Sequence, residues 1–290
     1  MELLNIDGRS ALRFERRLPH PPEKVWRAIT EPAHLAAWFP AAVQLELRLG
    51  AEVRFDFGDG SGPTPDGVIT ALDPPRAFGF SWGSDLLFFE LHADGAGCRL
   101  VFTHTFDDRA GAASFASGWQ VCLDALEAML DGRPIGATGD MAGLHEAYVA
   151  ALGLADGVAE ANPEGWCVRF ERQLTRPAAL VWSILTASPH RPAPVIGGPV
   201  PPGFTTAQLA AGAVTAVETP ALLEYEWLFA GRPVGRVRWQ LGQGTGHGVR
   251  LVLTQTGPAE LAGEQTAALA AWRDHIERFA GDLLGHAAPV

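Results

Sequence analysis

The sequence predicts an α+β protein in which one domain occurs twice. Each copy is expected to be a curved antiparallel sheet that wraps round a long C-terminal helix and carries two short helices. Three observations support this fold class: residues from Phe14 onward recur from Phe170, an offset of 156 residues; short alternating apolar segments follow the first helix of each copy; and each copy ends in a long segment of helical periodicity. An internal repeat determines the whole architecture, so elements of the first copy predict elements of the second.

The repeat is clearest over the first strand and first helix. Eight residues of the first copy have identical partners in the second, namely Phe14, Glu15, Arg16, Leu18, Pro21, Val25, Trp26 and Thr30 with Phe170, Glu171, Arg172, Leu174, Pro177, Val181, Trp182 and Thr186. So many matches, including a tryptophan pair, indicate common architecture. We interpret Trp26 as a core anchor, because its partner Trp182 has no reason to share a ligand.

The first elements follow from local signals. Residues 12–18 alternate between apolar and polar, the period of a half-buried strand. Pro21 and Pro22 stop this strand and suit the first turn of a helix. Pro32 ends that helix, and a second short helix is expected at 34–39.

From Val43 onward the pattern predicts an antiparallel meander joined by Gly, Pro and Asp turns. The expected strands are residues 45–49, 53–57, 67–72, 77–82, 86–92 and 98–106. The period then changes, and residues 119–130 place their apolar side chains on one helical face, with Gly132 and Pro134 closing the helix. A meander that is apolar on one face must be covered, and this helix is the element long enough to cover it. We therefore expect a cavity between sheet and helix.

The repeat predicts the domain limits. We expect a first domain at residues 1–136, a linker with a possible short helix at 137–165, and a second, divergent domain at 166–290. The second copy has a proline-rich segment, 188–202, in place of the second short helix, and prolines at that density cannot form it.

Composition excludes several function classes. The chain is 290 residues long with a formal net charge of −11, and its Lys and Arg residues are scattered, which argues against nucleic-acid and membrane partners. The N-terminus lacks the apolar core of a signal peptide, and no apolar stretch would span a bilayer. The three cysteines and nine histidines show no ligand spacing, so we expect no metal and no cofactor. A cytoplasmic location is the expectation.

One stretch carries a family resemblance. Residues 30–39, Thr-Glu-Pro-Ala-His-Leu-Ala-Ala-Trp-Phe, resemble the T-x-P-E-H-L-x-x-W-F signature of the activator-of-Hsp90-ATPase-homologue-1-like branch of the START/Bet v 1-like (SRPBCC) superfamily. Residues 74–82, 103–106 and 118–119 also fit. The resemblance covers nearly all of the first copy and, more weakly, most of the second. It implies two helix-grip domains, each with a hydrophobic cavity.

The cavity-lining candidates are aromatic and polar residues of the inferred cavity walls. In the first copy they are Trp38, Phe39, Phe55, Trp82, Phe88, Glu90, Phe102, His104, Trp119, Cys122 and Leu126; in the second they are Trp227, Gln255, Trp272, His275 and Phe279. Both Trp38 and Phe39 are alternatively core anchors. The partner position of Cys122 is His275, and each could instead be ordinary core packing.

His104 is the most informative polar candidate. Strand alternation places it on the face of Leu100, Phe102 and Phe106, towards the cavity. It could hydrogen-bond a ligand or move a proton, or it could be a satisfied core histidine. Its repeat partner is Gln255, which cannot do acid–base work. Glu90 is a possible partner for His104 if its strand face points inward.

Three functions fit these features. We favour a module that binds a small hydrophobic molecule, mainly in the first domain, over an enzyme. The alternatives are an enzyme of the polyketide aromatase/cyclase type, and a protein-interaction module for a chaperone such as Hsp90, which the family name suggests. The two repeats are also expected to pack as a pseudo-dimer.

Overall fold

The computed structural model describes residues 1–58, 60, 62–187, 193–246 and 248–286. It divides into two compact units, Met1–Gly139 and Asp140–Val290. Residues 188–192, the first third of the proline-rich segment 188–202 that is expected to lack the second short helix, lie outside the described residues. Among the helices that are described, none has the length and apolar character needed to cross a membrane.

The first unit combines one antiparallel sheet with three helices among its described residues. Their bounds are β1 (Glu2–Ile6), β2 (Arg9–Leu18), α1 (Pro22–Thr30), α2 (Pro32–Trp38), β3 (Ala42–Leu45), β4 (Glu52–Asp56), β5 (Thr64–Asp73), β6 (Ala77–Trp82), β7 (Asp85–Asp94), β8 (Gly97–Phe106) and α3 (Ala112–Leu130). The strand order is β1-β2-β8-β7-β6-β5-β4-β3. The predicted α+β class with a long helix on a meander is confirmed.

The core of the first unit lies between the inner face of the sheet and α3. Leu100, Phe102, His104 and Phe106 of β8 are all buried, as their alternation predicts. The rings on this face contact aromatic residues of α3, with Phe102 4.6 Å from Trp119 and Phe106 4.8 Å from Phe115, centroid to centroid. One buried sheet face covered by one helix explains why both elements are amphipathic.

Three boundaries differ from the sequence expectation. The strand expected at 45–49 is instead β3, which ends at Leu45, and Leu49 beyond it is 61% exposed. The N-terminal residues form β1, an edge strand paired with β2 whose apolar residues do not alternate with polar ones, so periodicity does not reveal it. α3 begins at Ala112 rather than at Trp119, because small buried alanines, which show little amphipathic contrast, make its first turns.

The second unit repeats the same order with fewer strands among its described residues. Its elements are α4 (Met141–Ala151), β9 (Val158–Asn162), β10 (Gly165–Leu174), α5 (Ala178–Thr186), β11 (Ala210–Glu218), β12 (Leu222–Phe229), β13 (Arg232–Gln243), β14 (Val249–Pro258) and α6 (Glu264–Leu284). The sheet order is β11-β12-β13-β14-β10-β9.

The segment expected as a linker is structured and belongs to the second unit. β9 pairs antiparallel with β10, and all of its side chains are exposed, so its sequence shows no apolar alternation. The α4 helix is tied to the sheet by an ion pair between Glu146 and the buried Arg172 of β10. A second ion pair joins Asp156, ahead of β9, to Arg273 of α6.

Candidate functional site

The first unit contains an open cavity of about 400 Å³. It lies where the β6–β7 turn, the end of β8 and the first half of α3 meet. Its walls combine three aromatic rings with a few polar groups. The lining residues are Pro40, Asp66, Trp82, Gly83, Ser84, Asp85, His104, Ser114, Phe115, Gly118, Trp119 and Cys122. This is the size and mixed character of a small-molecule pocket.

The floor of the cavity is a packed aromatic cluster. Phe39, which follows α2, has its ring centroid 5.7 Å from Trp82 and 5.8 Å from Trp119. Trp82 also stacks with Phe55, at 5.0 Å, and with Phe57, at 5.5 Å. These contacts hold the two tryptophans in place, because an indole packed against neighbouring rings cannot rotate freely.

His104 is held by hydrogen bonds on both of its ring nitrogens. The indole N–H of Trp119 donates to Nδ1 at 3.0 Å, and Nε2 lies 2.9 Å from Oδ2 of Asp85. An indole nitrogen is a donor only, so Nδ1 must be the unprotonated acceptor and Nε2–H donates to Asp85. The imidazole is 3% exposed. The contacts therefore define one neutral tautomer of His104.

This arrangement limits what His104 can do chemically. Protonation of Nδ1 would break the bond from Trp119 and leave two donors facing each other. Release of the Nε2 proton would remove the bond to Asp85. His104 therefore serves as a connector between β8, α3 and the start of β7, rather than as a group free to exchange protons with a ligand.

Cys122 presents a thiol to the cavity. Burial raises its pKa to about 11, which keeps the thiol protonated at neutral pH. Since the thiolate is the nucleophilic form, Cys122 is not an activated nucleophile. Within the described residues, no group of three or more His, Cys, Asp or Glu side chains is placed to hold a metal ion.

Four of the sequence candidates line this cavity: Trp82, His104, Trp119 and Cys122. Five others are buried in the core beneath or beside it, namely Trp38, Phe39, Phe55, Phe102 and Leu126. Trp38 acts as an anchor, since its indole N–H donates to the carbonyl of Ala28 at 3.0 Å and joins α2 to α1.

The placement of Phe88 and Glu90 on the cavity side is wrong. The inward face of β7 holds Leu87, Phe89 and Leu91, which are buried, whereas Glu90 points to the other face and lies 4.0 Å from His92. Both faces of this strand carry large apolar residues, so alternation alone does not identify the inner one. The carboxylate partner of His104 is therefore Asp85.

The sequence reasoning missed eight lining residues, of which Asp85 and Asp66 are the acidic ones; the others are Pro40, Gly83, Ser84, Ser114, Phe115 and Gly118. Asp85 shares the inner face of β7 with Leu87 and Phe89, two and four residues further along. Correct phasing of β7 would have identified it. Asp66 lies on β5, and its carboxylate is beside Gly83 in the β6–β7 turn. That contact joins residues that are distant in sequence, so no local pattern predicts it.

The corresponding region of the second unit is packed with side chains. Trp227, Gln255 and Trp272 are buried in its core, and the indole of Trp272 donates to Oε1 of Gln255 at 2.6 Å. This bond reproduces that from Trp119 to His104. The acceptor of the indole proton is thus retained in both units, although the residue type differs.

Two tryptophans occupy the space that is open in the first unit. Trp227, the repeat partner of Trp82, lies 5.3 Å from Trp166, centroid to centroid. Both indoles pack over Gly257, where a Cβ atom would lie within 2.4 Å of Trp166 and 2.7 Å of Trp227. Since Gly257 replaces Phe106 and Trp166 replaces Ser10, these substitutions account for the filled space.

His275 and Phe279 line a different depression, of about 310 Å³, between α5 and α6. Nε2 of His275 donates to the carbonyl of Gly203 at 2.9 Å. Burial, with a smaller contribution from Arg278, lowers the pKa of His275 from its ordinary value despite the bond to Gly203. His275 is a neutral residue at this rim.

Comparison with known proteins finds a family model that matches part of the first unit. Residues 19–131 match the family model described as activator of Hsp90 ATPase homolog 1-like protein. The match covers α1 through α3, including the cavity. A search of curated proteins finds no match.

Solved structures resemble about half of the chain. A conserved protein of unknown function from Enterococcus faecalis is 21% identical, covers 51% of this chain and 88% of its own, and has a TM-score of 0.44. CalU16 from Micromonospora echinospora is also 21% identical, with coverages of 52% and 92% and a TM-score of 0.42. A protein from Bordetella parapertussis is 27% identical, with coverages of 49% and 86% and a TM-score of 0.41.

Proposed function

We propose that the first unit, whose residues 19–131 match the activator-of-Hsp90-ATPase-homolog-1-like family model, binds a small hydrophobic molecule in the cavity between its sheet and α3. The observation that carries this proposal is the open volume of about 400 Å³ beside Trp82, Phe115 and Trp119. Small-molecule sites are concave and mostly apolar, with a few placed polar groups, and this cavity has that composition.

The chemistry of the lining supports binding over catalysis. His104 has both ring nitrogens engaged by protein groups, and the thiol of Cys122 is kept protonated by burial. General acid–base and nucleophilic catalysis both need a group that can exchange a proton or donate an electron pair to the substrate. Neither residue meets that requirement in the observed arrangement.

The packing of the second unit supports the assignment of ligand binding to the first unit. Its fold repeats the scaffold, while Trp166 and Trp227 fill the region equivalent to the cavity. A cavity that is filled in one copy and open in the other is not a requirement of the fold. We therefore assign ligand binding to the first unit.

Replacement of Gly118 by a larger residue tests the proposal directly, because the new side chain would fill the cavity. It lies in α3 and lines the cavity, and a Cβ built on it meets no heavy atom within 4 Å. Gly118→Leu should therefore place its side chain in open space and improve helix propensity. The matched control is Gly281→Leu, at an exposed position of α6 where a Cβ also meets nothing within 4 Å.

The measurement is isothermal titration with 1-naphthalenemethanol, a neutral aromatic probe, on the full chain. We expect the wild type and Gly281→Leu to bind with similar affinity and Gly118→Leu to bind at least tenfold more weakly. Circular dichroism would show that each variant is folded. Equal binding by all three proteins, or binding by none, would contradict the proposed site.

A further inference from the structure

The polar groups of the cavity point to the chemical class of its ligand. We propose that the ligand is a hydrophobic amine, whose ammonium group meets Asp85 and Asp66 while its apolar part packs against the aromatic walls. This inference rests on the proposed function of the same cavity. The charges and hydrogen bonds of the lining residues support it.

Among the described residues, the lining contains two acidic side chains, Asp66 and Asp85, and no lysine or arginine. The remaining titratable groups add no positive charge. Nδ1 of His104 accepts from Trp119, so the imidazole is neutral, and the thiol of Cys122 is protonated. A carboxylate or phosphate ligand would meet acidic oxygens without a compensating cation, which is unfavourable in a partly dehydrated cavity.

Asp85 keeps hydrogen-bonding capacity for an occupant. Its Oδ2 accepts from His104 at 2.9 Å, whereas Oδ1 has the hydroxyl of Ser84 at 3.5 Å, the outer limit of a hydrogen bond. A carboxylate has about four lone-pair sites, so Oδ1 can accept from a bound donor. Asp66 is exposed at the same rim and adds a second acceptor.

Arg9 is a basic residue that contacts the β6–β7 turn, and its guanidinium is engaged by other groups. It donates to the carbonyl of Ser84 at 2.8 Å and forms an ion pair with Asp107 at 2.7 Å. Arg9 is not among the residues that line the cavity. Aromatic faces attract cations, so Trp82, Trp119 and Phe115 complement the acidic groups.

The second unit lacks the acidic residues that line the cavity of the first unit. The strand registers place Gly235 and Gln255 at the positions of Asp85 and His104, and the repeat offset of 145 residues places Ala211 at that of Asp66. At Gly235 a Cβ would lie 1.9 Å from the carbonyl oxygen of Thr256, so no aspartate fits. Both acidic groups are lost where the space is filled, as expected if they serve an occupant rather than the scaffold.

The test uses three probes with one ring system and different head groups: 1-naphthylmethylamine, 1-naphthalenemethanol and 1-naphthoate. At neutral pH they carry a positive charge, no charge and a negative charge. We expect titration calorimetry on the full chain to give at least tenfold tighter binding for the amine than for naphthoate. The advantage of the amine over the alcohol should shrink as salt is raised from 20 to 500 mM.

Variants of the two acids identify the groups responsible. Asp85→Asn retains an oxygen for His104 but removes the charge, and Asp66→Asn acts at the rim. Each should lower the ratio of amine to alcohol affinity about three- to tenfold. Asp94→Asn is the matched control, because it removes one charge from an exposed position at the opposite end of β7 and should leave that ratio unchanged.

The outcomes separate the two proposals. If the alcohol binds but the amine binds no more tightly than naphthoate, the amine inference is wrong and the binding function stands. If Asp85→Asn and Asp66→Asn both leave the ratio as it is in Asp94→Asn, the inference is also wrong. If none of the three probes binds the wild type, the proposed function fails, and the inference fails with it.

Discussion

Replacement of His104 tests whether its main role is to accept the indole proton of Trp119. In His104→Leu, the buried Trp119 N–H would lose its acceptor, and Asp85 would lose the donor that holds it. A buried donor left unsatisfied costs about 1–3 kcal/mol, and a lost hydrogen bond to a charged group about 1.5–3 kcal/mol. Leucine recovers part of this by apolar packing, so we expect the free energy of unfolding to fall by about 2–4 kcal/mol.

His104→Gln is the matched variant, because the second unit already contains the resulting arrangement. There Gln255, which is fully buried, accepts from Trp272 at 2.6 Å. An amide oxygen at position 104 can accept from Trp119 in the same way, and only the bond to Asp85 would be weakened. We expect a loss below about 1.5 kcal/mol for this variant.

Hydrogen–deuterium exchange in increasing urea suits this chain, because two units need not unfold in one transition. Peptides from α3 report the first unit, and peptides from α6 provide an internal control that neither variant should alter. The reasoning is refuted if the glutamine variant is as destabilised as the leucine variant. It is also refuted if the leucine variant loses less than about 1 kcal/mol, since an unsatisfied buried indole should cost at least that.

Three further predictions concern cysteine reactivity, pH and the α4 contact. Because burial raises the pKa of Cys122 to about 11, its alkylation by iodoacetamide should still accelerate between pH 9 and 10. Burial lowers the pKa of His275 from 6.5 in the folded chain, so His275 binds a proton more readily in the unfolded chain. Between pH 7.5 and pH 5 the wild type should therefore lose more stability than His275→Gln, which has no imidazole to protonate. Glu146→Met leaves the buried Arg172 without its carboxylate and should cost about 3 kcal/mol, whereas the double variant Glu146→Met with Arg172→Met should be milder.

Separate measurements test the predictions for Cys122, His275 and Glu146. Peptide mass spectrometry follows the alkylation of Cys122, with glutathione as the free-thiol control, and a plateau below pH 9 would disprove the raised pKa. Urea denaturation at the two pH values tests His275, and parallel losses in both proteins would remove it as a cause. Exchange of α4 peptides tests Glu146, and a double variant as unstable as the single one would show that an unpaired arginine is not the reason.

The sequence alone determined the scaffold. The repeat of Phe14 and Trp26 at Phe170 and Trp182, the face of β8 that includes Phe102 and His104, and the helical stripe closing each copy were all predictable. These features depend on the period of apolar residues, and burial of apolar surface is the dominant force that places them. The resemblance of the first unit to a known family followed from the stretch ending in Trp38 and Phe39, and the family model matches residues 19–131.

The tertiary structure decided the chemistry of the cavity. It paired His104 with Asp85 rather than Glu90, because the inner face of β7 cannot be chosen when both faces carry large apolar residues. It also showed that Trp166 fills the second unit against Gly257, a contact between neighbouring strands that no local pattern reveals. Periodicity indicates which side of an element faces the core only where one side is clearly more apolar, whereas the contents of a cavity depend on which distant side chains meet there.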